Sequence, residues 1–198
     1  AAEPQLVLAP APLDASGTAR ALGLYRQLAE SPDSYAALAG VQAGVLACGS
    51  DVAAQRMHSL PLNLPHVFAM GTLGCLLSGA FNAVWLRQLE ARFPGSGSDA
   101  IAAKTSTDYV CAALINSAYL LAVPLLAAAF AGGGGEVGLL DGWTAEGFRD
   151  VMLLELVTFT PYNLCAFKLV PPNLRPLTSA GLSAASTVVI SGVTLGFV

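Results

Sequence analysis

The sequence predicts an all-α fold, a transmembrane bundle of four to five spanning helices with a short amphipathic helix before it. Three observations predict it. Hydrophobic residues make up 55% of the 198 and charged ones only 11%, whereas a soluble domain carries about 25% charged residues. Mean hydropathy is +0.62, and apolar windows near the roughly 20 residues that cross a bilayer recur along the whole chain. So few charges cannot cover a water-facing globule, and no long polar block sets a soluble domain apart.

Residues 1–20 read as an extended segment rich in Pro and Ala, without the basic region and continuous apolar core of a signal peptide. Residues 21–198 form a single membrane-embedded domain. Within 21–30, Leu24 and Leu28 share one helical face and Ser31-Pro32 ends it, the pattern of an amphipathic helix at a membrane surface. A first span covers 35–57, where Gly40-x-x-x-Gly44 forms a stripe of small residues that lets another helix approach closely. Pro61 and Pro65 break it. A second span covers 66–92, with Gly74 and Gly79 on a close-packing face and Trp85 and Arg87 at the interface. A third begins near Asp99 and has no charged residue over 109–130. A fourth covers 148–170, and a fifth 176–198 with Gly192-x-x-x-Gly196 as packing stripe.

A net charge of -4 gives no basic field for nucleic acid. The four cysteines fall one per apolar segment, with neither metal-site nor disulfide-framework spacing. The glycines at 132–135 are not followed by the Lys-Ser or Lys-Thr of a phosphate cradle, and no Gly-x-Ser-x-Gly elbow occurs. His58 and His66 flank a turn instead of sharing a helix face, so no metal pair is expected. No catalytic residue, metal or cofactor is predicted, and the protein is expected not to be an enzyme. Alternating the loops places Arg20, Arg26, Arg87, Arg92, Lys104, Lys168 and Arg175 at one end, with Arg56 and Arg149 at the other and an acidic loop at 136–150. The positive-inside rule then puts the N-terminus on the matrix, cytosolic or stromal side.

Ionisable residues inside the spans carry the functional question, because a charge there is costly without a partner. Asp51 and Gln55 stand one turn apart on one face. They need a cation or water, and Lys104, one turn before Asp108, is the best-placed cation in the sequence. Glu155, between apolar residues, should also face the interior. These five side chains form either a polar pathway or a staple between helices. His66, Asn82, Asn116 and Gln42 are the groups suited to contact a pigment if the chain sits in a photosynthetic assembly; otherwise they bond neighbouring helices.

Several blocks, in order, resemble the Mpv-seventeen and peroxisomal membrane protein family of organelle membrane proteins. Tyr25, Leu28 and Pro32 are similar to its Y-x-x-L-x-x-x-P, and Gly44, Leu46, Asp51 and Gln55 to its G-x-L-x-x-x-G-D-x-x-x-Q, with Ser50 for the second glycine. Gly74, Gly79, Trp85 and Leu89 fit its next block, where Ala80, Ala83 and Leu86 replace a proline, a histidine and a tyrosine. Lys104 and Asp108 fit K-x-x-x-D-Q, with Tyr109 for the glutamine. Phe167, Val170, Pro171 and Arg175 fit its closing W-P-x-x-Q-x-x-N-F-x-x-V-P-x-x-x-R, in which Phe159, Thr160, Asn163 and Ala166 are substitutions.

The resemblance implies four transmembrane helices plus further helical segments in a mitochondrial inner, peroxisomal or plastid thylakoid membrane, no catalytic residues, and in some members a nonselective channel. Two functions follow as expectations. One is channel-like passage of small solutes or ions. The other is a structural accessory subunit, held by the bilayer and by other subunits of a respiratory or photosynthetic complex, where chlorophyll or carotenoid contacts would arise.

Overall fold

The computed structural model describes residues 15–31, 34–133, 138, 140, 142–172 and 174–196. They form helices α1 (Ala15–Glu30), α2 (Tyr35–Met57), α3 (Leu64–Arg92), α4 (Ser98–Phe130), α5 (145–169) and α6 (Arg175–Leu195). Residues 15–20, expected to be extended, are therefore helical, and the rest of that segment lies outside the described residues. α5 begins at Ala145, so Glu146 and Asp150 belong to a helix and not to the predicted acidic loop; Glu136 and Asp141 lie outside the described residues, as does Pro32 of the opening motif.

Local chemistry sets the boundaries. Asn63 caps α3 by accepting the His66 N–H at 3.2 Å, with Pro65 in the first turn where its missing N–H costs nothing. Thr144 caps α5 through the Gly147 N–H at 3.0 Å. α6 ends at Gly196, whose φ of +77° is the left-handed cap that glycine adopts most readily. Gly196 is thus a terminator and not the packing residue expected of it, with open space where its Cβ would be; Gly192, one turn earlier, is buried as predicted.

The α2–α3 hairpin is the tightest seam. A Cβ on Gly79 would lie 2.5 Å from the Cα of Gly40, and one on Gly74 2.6 Å from the Ala47 Cβ, while Gly40 and Gly44 face the backbone of Cys75 and Gly71. Removing side chains is what lets two backbones meet without a hydrophobic driving force between them. A second core joins α3, α4, α5 and α6 through Met70, Leu73, Tyr119, Val123, Val151 and Ile190.

Among the described residues, four helices are long and apolar enough to cross a membrane: Tyr35–Met57, Leu64–Arg92, Ser98–Phe130 and Arg175–Leu195. The run 145–169 is not among them, yet the chain's connectivity makes it cross the bundle. α4 starts beside Glu90, where Lys104 bonds that carboxylate at 2.8 Å, and α6 starts beside the same Glu90 through Arg175 at 2.5 Å. Between them the chain descends α4 and must return. Its return helix keeps its charges away from the middle of the lipid-facing surface: Arg149 and Asp150 bond each other near one end at 2.9 Å, Lys168 sits at the other, and Glu155 points inward.

Both α3 and α5 contain a π-helical stretch, at Gly74–Phe81 and Glu155–Phe159. An inserted residue of this kind re-aims the side chains around it and is frequent at functional sites.

Candidate functional site: a polar chamber between closed clusters

The buried polar residues do not form one continuous line. They fall into three groups stacked along the bundle.

At the end where α2 meets α3, Asp51 and Gln55 are fully buried. Gln55 Nε2 donates to Asp51 at 2.8 Å, and its Oε1 accepts the Asn63 N–H at 2.6 Å. The counter-group of Asp51 is His66, whose Nδ1 lies 3.0 and 3.1 Å from the two carboxylate oxygens, while Nε2 meets the Thr194 hydroxyl at 3.0 Å. Neither Lys104 nor Arg56 is needed. Its Nδ1 faces the carboxylate and its Nε2 the Thr194 hydroxyl, so both ring nitrogens of His66 lie against protein partners. Every member of this group has a partner, and together they tie α2, α3 and α6.

At the opposite end lies Glu90, which the sequence reading did not single out. Lys104 Nζ donates to it and to the Gly95 carbonyl, each at 2.8 Å, so Lys104 does not pair with Asp108 one turn away. Arg175 also reaches Glu90, and in addition donates to the carbonyls of Val170 at 2.9 Å and Phe167 at 3.3 Å. This explains the spacing of the closing motif physically. Val170-Pro171 ends α5, and an arginine four residues past the proline folds back to satisfy the helix's last carbonyls. The guanidinium stands 5.1 Å from the Phe167 ring centre. Tyr35 joins the same end, with its hydroxyl on the Pro172 carbonyl at 3.2 Å and Arg87 stacked 3.6 Å over its ring.

Between these groups is a cavity of about 80 Å³, room for several waters. The two π-helical stretches flank it, supplying Ser78 from one and Glu155 and Phe159 from the other. Asp108 lines it, held by the Trp85 indole N–H at 2.9 Å and the Asn163 amide at 2.7 Å. Trp85 thus turns inward instead of sitting at the interface as expected. Asn116 faces Glu155 and also contacts the Met152 sulfur at 3.6 Å. Asn82 lines the chamber, whereas Gln42 borders a small separate hollow beside Tyr25 and Tyr35.

One wall is α6, which presents Ser179, Ser183, Ser186 and Thr187 to the chamber. The sequence reading missed this stripe, although hydroxyls spaced four, three and one apart on an apolar helix all lie on one face. Ser186 has its hydroxyl buried with no partner. Arg175 and Phe167 line the chamber toward the Glu90 group. The hydrogen-bonded pair Ser78–Tyr119, at 2.8 Å, and Ile190 also line it.

Among curated proteins, PXMP2/4 family protein 2 of Dictyostelium discoideum is 29% identical over 148 residues, 71% of this chain and 74% of its own length. Of the residues that carry the family resemblance, Asp51, Gln55, Trp85, Lys104, Asp108, Phe167 and Arg175 take part in these three groups. The chain is similar to this PXMP2/4 family protein, and with four apolar spanning helices it is a multi-pass membrane protein. No family model and no solved structure matches it significantly. Where this chain departs from the family's motifs, Ala83 is buried against Tyr35 and Ala39, and Leu86 contributes an apolar wall to the chamber; Tyr109 donates to the Met152 carbonyl at 3.4 Å.

Proposed function

We propose that the protein is a non-enzymatic, channel-like passage for small polar solutes or ions across an organelle membrane, and that the chamber of Asp108, Glu155, Asn82, Asn116 and the α6 hydroxyls is its polar route. The observation that carries this reading is a cavity at the middle of an apolar bundle lined by two carboxylates, Asp108 and Glu155, that only neutral donors meet, and by the unpartnered Ser186 hydroxyl. Polar groups there are expensive, and where they serve only to join helices they pair with each other. Asp51, Gln55 and His66 do pair, so this reading moves the route away from them. Lys104 leaves the route too, becoming part of the plug around Glu90. The organelle is one of the compartments that the family resemblance implies, with the cation-rich end of the bundle on its matrix or cytosolic side by the positive-inside rule.

Single-channel recording from purified protein in a planar bilayer tests this. Discrete conductance is expected, reduced in Asp108→Asn and unchanged in Asp51→Asn. Silence in the wild type, with the protein held instead in a large native complex, would favour the accessory-subunit reading.

A further inference from the structure

We infer that the chamber is a binding site for one small organic ammonium ion, a primary amine of a few heavy atoms. The inference takes the solute chamber proposed above as its site and names the class of solute.

Charge comes first. The chamber and its adjoining plug hold three carboxylates, Glu90, Asp108 and Glu155, against two cations, Lys104 and Arg175. Both cations are spent on Glu90 and on backbone carbonyls. Asp108 receives only neutral N–H donors, and Glu155 faces an amide and the Asp108 carboxyl. With all three acids ionised, one positive charge is missing from an environment where an uncompensated negative one costs several kcal/mol.

The second observation is independent of charge. Ser186 is nine-tenths buried, lines the same chamber, and its hydroxyl finds no partner in the protein. A buried hydroxyl left unpaired costs free energy unless a ligand or water meets it.

The acceptors fit an ammonium. A primary ammonium carries three N–H donors and no acceptor, and the chamber offers it the two carboxylates and the Ser186 oxygen. A bare metal cation asks for six or more oxygens, and here each oxygen of Asp108 already holds a donor. The lining also includes Ile115, Phe159 and Tyr162, which suit a short carbon chain and the face-on approach of a cation to a ring. A quaternary ammonium has no N–H to give these acceptors.

Calorimetry on the full chain in lipid nanodiscs, titrated with ethylammonium, ethanolammonium, tetramethylammonium and potassium chlorides, tests it. Saturable binding of one ethylammonium or ethanolammonium per chain is expected, with tetramethylammonium and potassium failing to compete. Glu155→Gln should weaken binding roughly tenfold or more, the loss of a charge-assisted partner. Ser186→Ala, which removes only the hydroxyl, should weaken it several-fold, and exposed Glu146→Gln should leave it unchanged. Equal binding of potassium, no saturable binding, or full affinity in both chamber variants would overturn the inference. Flux without saturable amine binding would defeat this site and leave the passage standing; binding without flux would do the reverse.

Discussion

The Asp51 group and the chamber are made from the same kinds of side chain, a carboxylate with amides and hydroxyls, and they are built to opposite ends. Around Asp51, four residues from three helices exhaust one another's hydrogen bonds, and nothing is left to offer a ligand. Around Asp108 and Glu155 only neutral donors meet the acid groups, a hydroxyl is unmatched, and there is space. Polar residues inside a membrane are thus not one signal. A closed set fixes helices; an open set next to a cavity has capacity left for something else. The π-helical stretches carry Ser78, Glu155 and Phe159 of the open set, and the first of them also carries Gly74 and Gly79 of the seam with α2.

Substitutions separate the two kinds of site. The largest effect belongs to Glu90→Ala, which leaves Lys104 and Arg175 buried without counter-charge and should cost about 3–5 kcal/mol in unfolding titrations. His66→Ala follows, at about 3 kcal/mol, because Asp51 keeps its charge and loses its partner; the Asp51→Ala and His66→Ala effects should be non-additive in a double-mutant cycle, and additivity would dissolve the closed group. Gly79→Ala should cost about 1–3 kcal/mol by forcing the α2–α3 seam apart. Smallest is Ser186→Ala, expected to be neutral or slightly stabilising in the same titration, since its hydroxyl has no partner to lose. A large destabilisation there would mean that the chamber is only another staple.

The spans were legible because hydropathy over some twenty residues is a property of sequence alone, and the glycines at 40, 44, 74 and 79 marked the close seam correctly for the same local reason. Pairing was harder. His66 meets Asp51 from 15 residues away, across a two-proline turn, so neither i, i+4 spacing nor a common helix points to it. Glu90 and Lys104 stand seven residues either side of Gly97, a symmetry that an antiparallel hairpin turns into contact; with that rule the pair was readable. The α6 serine stripe was readable by helical period, but the Gly192-x-x-x-Gly196 spacing beside it drew the reading, and Gly196 turned out to be a cap. The π-helical stretches had no sequence signal, and without them the facing of Glu155 follows only in outline.

The central claim is that solute passes through the chamber and not past Asp51. Its most direct test is efflux of small polar solutes from proteoliposomes carrying wild type, Ser186→Phe or Asp51→Asn, each checked for folding. The account predicts efflux above empty vesicles for wild type and Asp51→Asn, and loss of it for Ser186→Phe, whose ring fills the cavity. Wild-type efflux in a folded Ser186→Phe protein would contradict it.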